Sequence, residues 1–452
     1  METLKSAKTK LAAANKEAVG FINSFIDGNS FVETDAFVCS KNEFADSPSE
    51  GVVSGIATVD SRYVCVFATN PAVLKGSVGA LNAKKIVRTV NNAVRMGRPL
   101  IAVWDTAGAR IAEGIECLDG YADILRAFTI AYGEVPVISV IKGNNLGITS
   151  YVSGLSDFVI ACPDAVSATA SPLVIAAKTG ESEKTVGCAK ELAAKGIVTN
   201  IAKKTELKKL VSNILELFAD GVESDDDLNR VCRGLKSGVS VNTVIKQTMD
   251  NGSFLPVRDD FAPVAITGFA TLASTPVGVV AIDGGAENGT ITADACVKIS
   301  EFLNTCVNMG CPVTFFVDSA GTEKGKDDAR LIREMSNLIF QINSLDVDML
   351  SVVYGKAVGA AYTAFVAPCE YKIAWENAYV GALESEAAAR LLYADEIKSA
   401  ANKDKAAQKL ATAYSEENGA ALNIARKGHF DNVIDPNHTR SYLIAALLAH
   451  VE

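Results

Sequence analysis

Four short turns in this chain have the composition to hold an oxyanion with backbone N–H groups. Two are DTAGAR at 105–110 and GNNLGIT at 143–149; the others are DSAG at 318–321 and GKAVGAAY at 355–362. In each, an apolar strand pattern ends, glycine permits a tight turn and a helical pattern follows, which points unpaired N–H groups outward. Two such turns facing each other form the donor arrangement that holds an enolate or thioester oxygen. Any one turn is explained as well by close packing of helix on strand. Four in register, in two copies, favour the chemical reading.

Side chains offer little competing chemistry. The three histidines, His429, His438 and His450, all lie in the final 24 residues, so a Ser-His-Asp or Cys-His mechanism would borrow its base from the tail. Asp105 and Asp318 end strands, where Asp stabilises the following turn, and neither reads as a general base. Tyr151 and Tyr362 follow two of the turns and read as packing residues or as the lining of a channel. The ten cysteines are scattered with no CxxC pair, which argues against a zinc ribbon and for reduced thiols in the cytoplasm. No metal site is expected.

The elements that must position these turns occur twice. VSGIATVDSRYVCVF around Gly55 is repeated as ITGFATLASTPVGVV around Gly268, and Asp105 and Gly108 recur as Asp318 and Gly321, each 213 residues on. ISVIKGNNLG at 138–147 recurs as LSVVYGKAVG at 350–359, 212 on, and DGNSFVE at 27–33 recurs as DNGSFLP at 250–256, 223 on. A unit this long is a whole domain rather than a solenoid repeat. Each copy runs strand pair, Gly-rich loop, amphipathic helix (80–97 or 292–310), apolar strand, second helix (about 113–132 or 326–343) and another strand. Ile86, Val90 and Val94, like Ile299, Leu303 and Val307, supply the apolar stripe of the first helix. The alternation predicts an α/β fold with a largely parallel sheet covered by helices. Residues 203–248 read as a helical connection, with 219–228 an exposed turn.

Composition narrows the partners. Hydrophobic residues make up 49% and charged residues 21% of 452, which is globular, and the net charge of −10 argues against nucleic acid. No apolar run has the length of a membrane span, and the N-terminal segment reads as a charged amphipathic helix rather than a signal peptide.

At the turn residues the chain resembles the carboxyltransferase component of biotin-dependent acyl-CoA carboxylases and decarboxylases. That group includes propionyl-CoA carboxylase beta and methylmalonyl-CoA and glutaconyl-CoA decarboxylase alpha subunits. AGARIAEGIECLDGYADIL (107–125) is close to the family segment S-G-G-A-R-I-Q-E-G-V-x-x-L-x-G-Y, and KAVGAAY (356–362) is similar to K-A-Y-G-G-A-Y. DGNSFVE, NPAVLKGSVGALNAKKI (70–86), LSDFVIA (155–161) and the ending VIDPNHTR (433–440) extend the likeness over nearly the whole chain. The resemblance implies two tandem crotonase-like (ClpP/crotonase) domains related by internal duplication: 1–235 for the acyl-CoA and 236–452 for biotin. It implies a dimer or hexamer and biotin on a separate biotin carboxyl carrier protein, since the A-M-K-M pattern of a biotin-accepting lysine is absent here. Biotin carboxylase or membrane decarboxylase subunits would complete the system.

By family position, the enolate hole uses Ala109 beside Gly108, and Gly147 or Ile148. The biotin urea meets Gly321 or Thr322, and Gly359 and Ala360. Arg110 either orders the hole, touches a CoA phosphate or forms an ion pair within the domain. Lys75, Lys84 and Lys85 are candidates for the CoA phosphates, against the simpler reading of a solvated helix start; Tyr362 and Thr363 are candidates for cofactor contact. The family's A-G-G-A turn is Leu146-Gly147-Ile148-Thr149 here, so Ile148 is expected to narrow the room beside a thioester. Its D-x-P-G-F-x-P-G loop is residues 318–325 without either proline, and Thr363 replaces an acidic residue linked to acyl-chain choice. The alternatives are a sodium-pumping decarboxylase subunit and, from another class, a non-catalytic scaffold; a crotonase-type hydratase wants a positioned carboxylate pair that neither copy shows.

Overall fold

The computed structural model describes residues 3–42, 45–218, 224–325 and 327–450. The chain divides into two compact units, one running to residue 219 and the other from 220. The boundary expected after 235 falls earlier because Cys232 and Leu235 are buried in the second core and Arg230 bonds the carbonyls of Gln247 and Met249.

The first unit opens with α1 (Leu4–Ile22) and is built on the strands β1 (Val32–Thr34), β2 (Val52–Val59), β3 (Arg62–Thr69), β4 (Leu100–Thr106), β5 (Val137–Leu146), β6 (Phe158–Ala161), β7 (Val166–Ala168) and β8 (Asn200–Ile201). Their order is β1-β2-β3-β4-β5-β6-β8, with β7 paired to β5 beyond β6. The first two pairings are antiparallel and the rest parallel. Helices α2 (Ala80–Met96) and α3 (Ile115–Ala131) cover one face, α4 (Ile148–Ser153) follows β5, and α5 (Leu207–Leu217) closes the unit. Phe67, Trp104 and Phe128 meet at ring separations of 5.1–6.4 Å under α2 and α3.

The second unit repeats the plan. Helix α6 (Val241–Thr248) leads to β9 (Leu255–Pro256), β10 (Ala265–Leu272), β11 (Thr275–Ile282), β12 (Val313–Ser319), β13 (Met349–Val358), β14 (Tyr371–Trp375), β15 (Tyr379–Gly381) and β16 (Asn432–Ile434). The order is β9-β10-β11-β12-β13-β14-β16, with β15 on β13. Helices α7 (Ala293–Met309), α8 (Asp328–Ile342) and α9 (Ala360–Phe365) match α2 to α4, and α10 (Thr439–His450) ends the described chain.

Local chemistry is duplicated as closely as topology. Asp27 accepts the N–H groups of Asp60 and Ser61 at 3.0 and 2.8 Å, and Asp250 those of Ala273 and Ser274 at 3.2 and 3.0 Å, fixing the β2–β3 and β10–β11 turns. Both central residues of each turn have positive φ, as a two-residue hairpin requires. Lys85 and Lys298 are both buried and donate to carbonyls at or before the start of the equivalent strands, Lys85 to Ser49 and Val52, Lys298 to Phe261. The apolar stripe departs from expectation at its end: Ala93 and Cys306 are fully buried, whereas Val307 is 39% exposed. A helix of 3.6 residues per turn brings i+7, rather than i+8, back over the sheet.

Candidate active site

In the first unit every N–H of the turn after β4 is committed except one. Ala107 donates to the Lys75 carbonyl at 3.0 Å, Gly108 to Thr106 Oγ1 at 3.0 Å and Arg110 to the Val78 carbonyl at 2.7 Å. The Val78 N–H in turn donates to the Gly108 carbonyl at 2.9 Å, so the ladder leaves the Ala109 N–H on its opposite side, where it meets no acceptor among the described residues. After β5 the same selection occurs. Gly147 donates to Ala168 at 2.9 Å, and the N–H of Ile148, first residue of α4, meets no acceptor among the described residues. The two turns touch: a Cβ on Gly108, which has φ 96°, would lie 2.8 Å from the Leu146 carbonyl oxygen.

The second unit reproduces this bond for bond. Ala320 donates to Asn288 at 3.1 Å, Gly321 to Ser319 Oγ at 3.1 Å and Glu323 to Ile291 at 2.9 Å, leaving Thr322 on the far side of the Ile291 ladder. Gly359 donates to Gly381 at 2.9 Å, leaving Ala360 at the start of α9. Among the eight expected residues, Gly108, Gly147, Gly321 and Gly359 therefore shape the turns through φ of 96°, 69°, 102° and 54°. Ala109, Ile148, Thr322 and Ala360 carry the open donors.

Asp105 and Asp318 sit where the parallel register slips, between Trp104 and Thr106 in one sheet and between Val317 and Ser319 in the other. Each carboxylate reaches across to the neighbouring strand rather than to its own turn. Asp105 Oδ1 accepts the Asn144 N–H at 3.2 Å and Asp318 Oδ1 the Lys356 N–H at 2.8 Å. Their surroundings differ. Lys142 Nζ reaches Asp105 at 3.0 Å and Glu17 at 2.6 Å. At the matching place Tyr354 bonds the Ile282 carbonyl instead, and burial pushes the Asp318 carboxyl above the usual range.

Arg110 takes the ion-pair role. It is 6% exposed, pairs with Glu50 and with Glu113 at 3.0 Å, and donates to the Ser77 carbonyl at 3.0 Å, so its guanidinium is turned into the unit. Lys85 is likewise no phosphate contact: it is 2% exposed, and burial pushes it down to about 8. Lys75 and Lys84 are exposed, with Lys75 in a left-handed turn of φ 54°. The Ile148 side chain is half-buried and packs against the first core, as Leu155 does. Tyr362 is half-buried, and burial pushes its hydroxyl up. Thr363 is exposed and donates to the Ala360 carbonyl at 3.2 Å. Tyr151 is 55% exposed, on the surface rather than in the core. Glu50 and Ser47 carry no signal in the sequence because they lie outside every repeated segment, whereas the Lys85–Lys298 pair is visible when the two copies are aligned.

The family model described as the carboxyl transferase domain matches residues 11–452. The chain is 32% identical to the propionyl-CoA carboxylase carboxyltransferase subunit of Haloferax mediterranei, over 94% of this chain and 88% of that one. It is 30% identical to methylmalonyl-CoA decarboxylase subunit alpha of Veillonella parvula, over 93% and 87%. The crystal structure of transcarboxylase 12S, described as a hexamer with methylmalonyl-coenzyme A and methylmalonic acid bound, matches with a TM-score of 0.90 at 27% identity, over 100% of this chain and 96% of that one.

Proposed function

The chain belongs to the carboxyl transferase domain family, and from that premise we propose that its two units hold the two halves of one carboxyl transfer between biotin and an acyl-CoA. The observation that carries the reading is the open N–H pair at equivalent positions of both units, Ala109 with Ile148 and Thr322 with Ala360. Carboxybiotin on a separate carrier, when docked, supplies CO2 and a ureido nitrogen that takes the acyl α-proton. Ala109 and Ile148 hold the thioester oxygen, whose charge grows as that proton leaves, so their hydrogen bonds strengthen toward the transition state. Thr322 and Ala360 fit the ureido oxygen, which accepts two such bonds. The enolate carbon attacks CO2, forming the new C–C bond; decarboxylation is the reverse.

The departures at 148 and 318–325 motivate a scaffold reading, but the N–H groups there are open, which supports catalysis. The reading includes a biotin carboxyl carrier protein as partner, with a biotin carboxylase or membrane decarboxylase subunits behind it, and a dimer or hexamer of this chain in the cytoplasm. All ten cysteines are free thiols, and no described helix is long and apolar enough to cross a membrane. The test is CO2 release from malonyl-, methylmalonyl- and glutaconyl-CoA with free biotin. Biotin-dependent release from one of them is expected. Inactivity on all three, with CoA-ester binding shown by calorimetry, leaves the scaffold.

A further inference from the structure

Beside the Ala109 turn the two units differ in that the first carries additional chain. The offset between copies falls from 223 at Asp27 to 213 at Gly55, so the first unit has ten residues more between them. That extra length brings Glu50 under the turn that carries the Ala109 donor. Glu50 is fully buried. Its Oε1 pairs with Arg110 Nη1, while Oε2 accepts the Ser47 hydroxyl at 2.7 Å and the Ser40 N–H at 2.8 Å. Arg110 directly follows Ala109, and its other contacts, to Glu113 and to the Ser77 carbonyl and hydroxyl, bind the same turn to the loop before α2. Glu113 continues the chain by accepting the Ala80 N–H at 2.6 Å.

Resting on the carboxyl-transfer function proposed for the two units, we propose that Glu50 is a positioning residue of the enolate half-site: through Arg110 it holds the Ala109 N–H in its donor orientation before substrate arrives. Two features set this apart from an ordinary buried ion pair. Ser49 and Glu50 both have positive φ, 52° and 53°, a conformation unfavourable for non-glycine residues that gathers at functional sites. The surroundings hold them there: Asn15 donates to Ser49 Oγ at 2.8 Å, Asn82 to the Glu50 carbonyl at 3.1 Å and Lys85 to the Ser49 carbonyl at 3.1 Å. The second feature is asymmetry. The positions 213 residues on from Glu50, Arg110 and Glu113 are Pro263, Glu323 and Lys326, so the biotin half has no such latch in its sequence. A hole that meets developing charge gains from donors fixed in advance, since reorientation during the reaction lowers their contribution.

The test uses the full chain with Glu50→Gln, which keeps shape and removes charge, and Ser47→Ala as a milder variant. With methylmalonyl-CoA and free biotin, or whichever of the three CoA esters the wild type uses, kcat is expected to fall about 100-fold for Glu50→Gln with KM within threefold, because misplacing a reacting group by an ångström costs about that much. Glu50→Asp is expected to restore part of the loss. Amide hydrogen exchange is read in parallel: the peptide 107–114 should exchange at least tenfold faster in Glu50→Gln, and 319–325 unchanged. Unaltered kcat, or exchange at 107–114 equal to wild type in a folded variant, overturns the proposal. If the wild type shows no turnover, the carboxyl-transfer function fails, and exchange still decides whether Glu50 holds the turn.

Discussion

At the level of single residues, the division between glycines that bend and neighbours that donate makes a clean deletion possible. Ala360 is the first residue of α9, a position where proline is tolerated because its N–H has no partner within the helix. Ala360→Pro should therefore remove one donor with little else disturbed, slowing the biotin-dependent reaction about 10²–10³-fold. Acyl-CoA binding by calorimetry and thermal unfolding should stay near wild type; a rate within threefold of wild type would show that this N–H faces no reacting oxygen. The glycines are legible in the sequence as strand-end turns, but their own N–H groups are consumed by ladder bonds to Ala168 and Gly381 and by hydroxyls of Thr106 and Ser319. Those acceptors come from chain far away or from side chains, which no spacing rule announces. Arg110 illustrates the same limit: its motif, Glu113 included, is plain, while the second acid that engages it lies 60 residues away in sequence.

Among elements, the two register slips at Asp105 and Asp318 are the joints that set the turns at the strand ends. A bulge beside a site re-aims the chain that leaves it. Each joint depends on glycine opposite the carboxylate, since a Cβ on Gly143 would crowd Asp105 and one on Gly355 would collide with Asp318. Gly355→Ala should displace Asp318 from the Lys356 N–H and cost about 1–3 kcal/mol, the usual range for overpacking. Thermal unfolding of the second unit would then start several degrees lower, and an unchanged transition would contradict the joint. The apolar period and the glycine stops place the helices within about two residues. Of the exposed turn expected at 219–228, residues 219–223 lie outside the described residues, and Asp225, Asp227 and Leu228 are exposed as expected; Asp226 departs, its side chain turned in to Arg230 at 2.8 Å and near Arg440. A run of acids looks solvated until a distant arginine is known to meet it.

For the molecule as a whole, pH reports burial in both units. Burial pushes the thiols of Cys65, Cys162, Cys232, Cys296, Cys306 and Cys369 up. Above the ordinary thiol value of about 8.5 the unfolded chain loses these protons while the folded chain keeps them, so stability present below that pH declines as pH rises. Lys85 and Lys298, both pushed down to about 8 by burial, act oppositely: above that pH the folded chain has shed protons that the unfolded lysines still carry, which adds stability. Six thiols against two lysines predict a falling unfolding temperature from pH 8.5 to 10, and Lys298→Met should steepen the fall. A rise over that interval would contradict it. The duplication itself is legible throughout, because both copies keep the same strands, turns and strand-end aspartates. A mere change of offset in the sequence becomes, in space, the segment carrying Glu50. The open donors in each unit belong to the main chain, and that has a consequence for genetics. Ala109 and Ala360 are already alanine, and replacing the Ile148 or Thr322 side chain with alanine leaves the N–H in place, so an alanine scan would pass over the proposed donors and report only their supports. Backbone editing, by proline or by an amide-to-ester exchange, is the kind of mutation to which the proposed reaction is exposed.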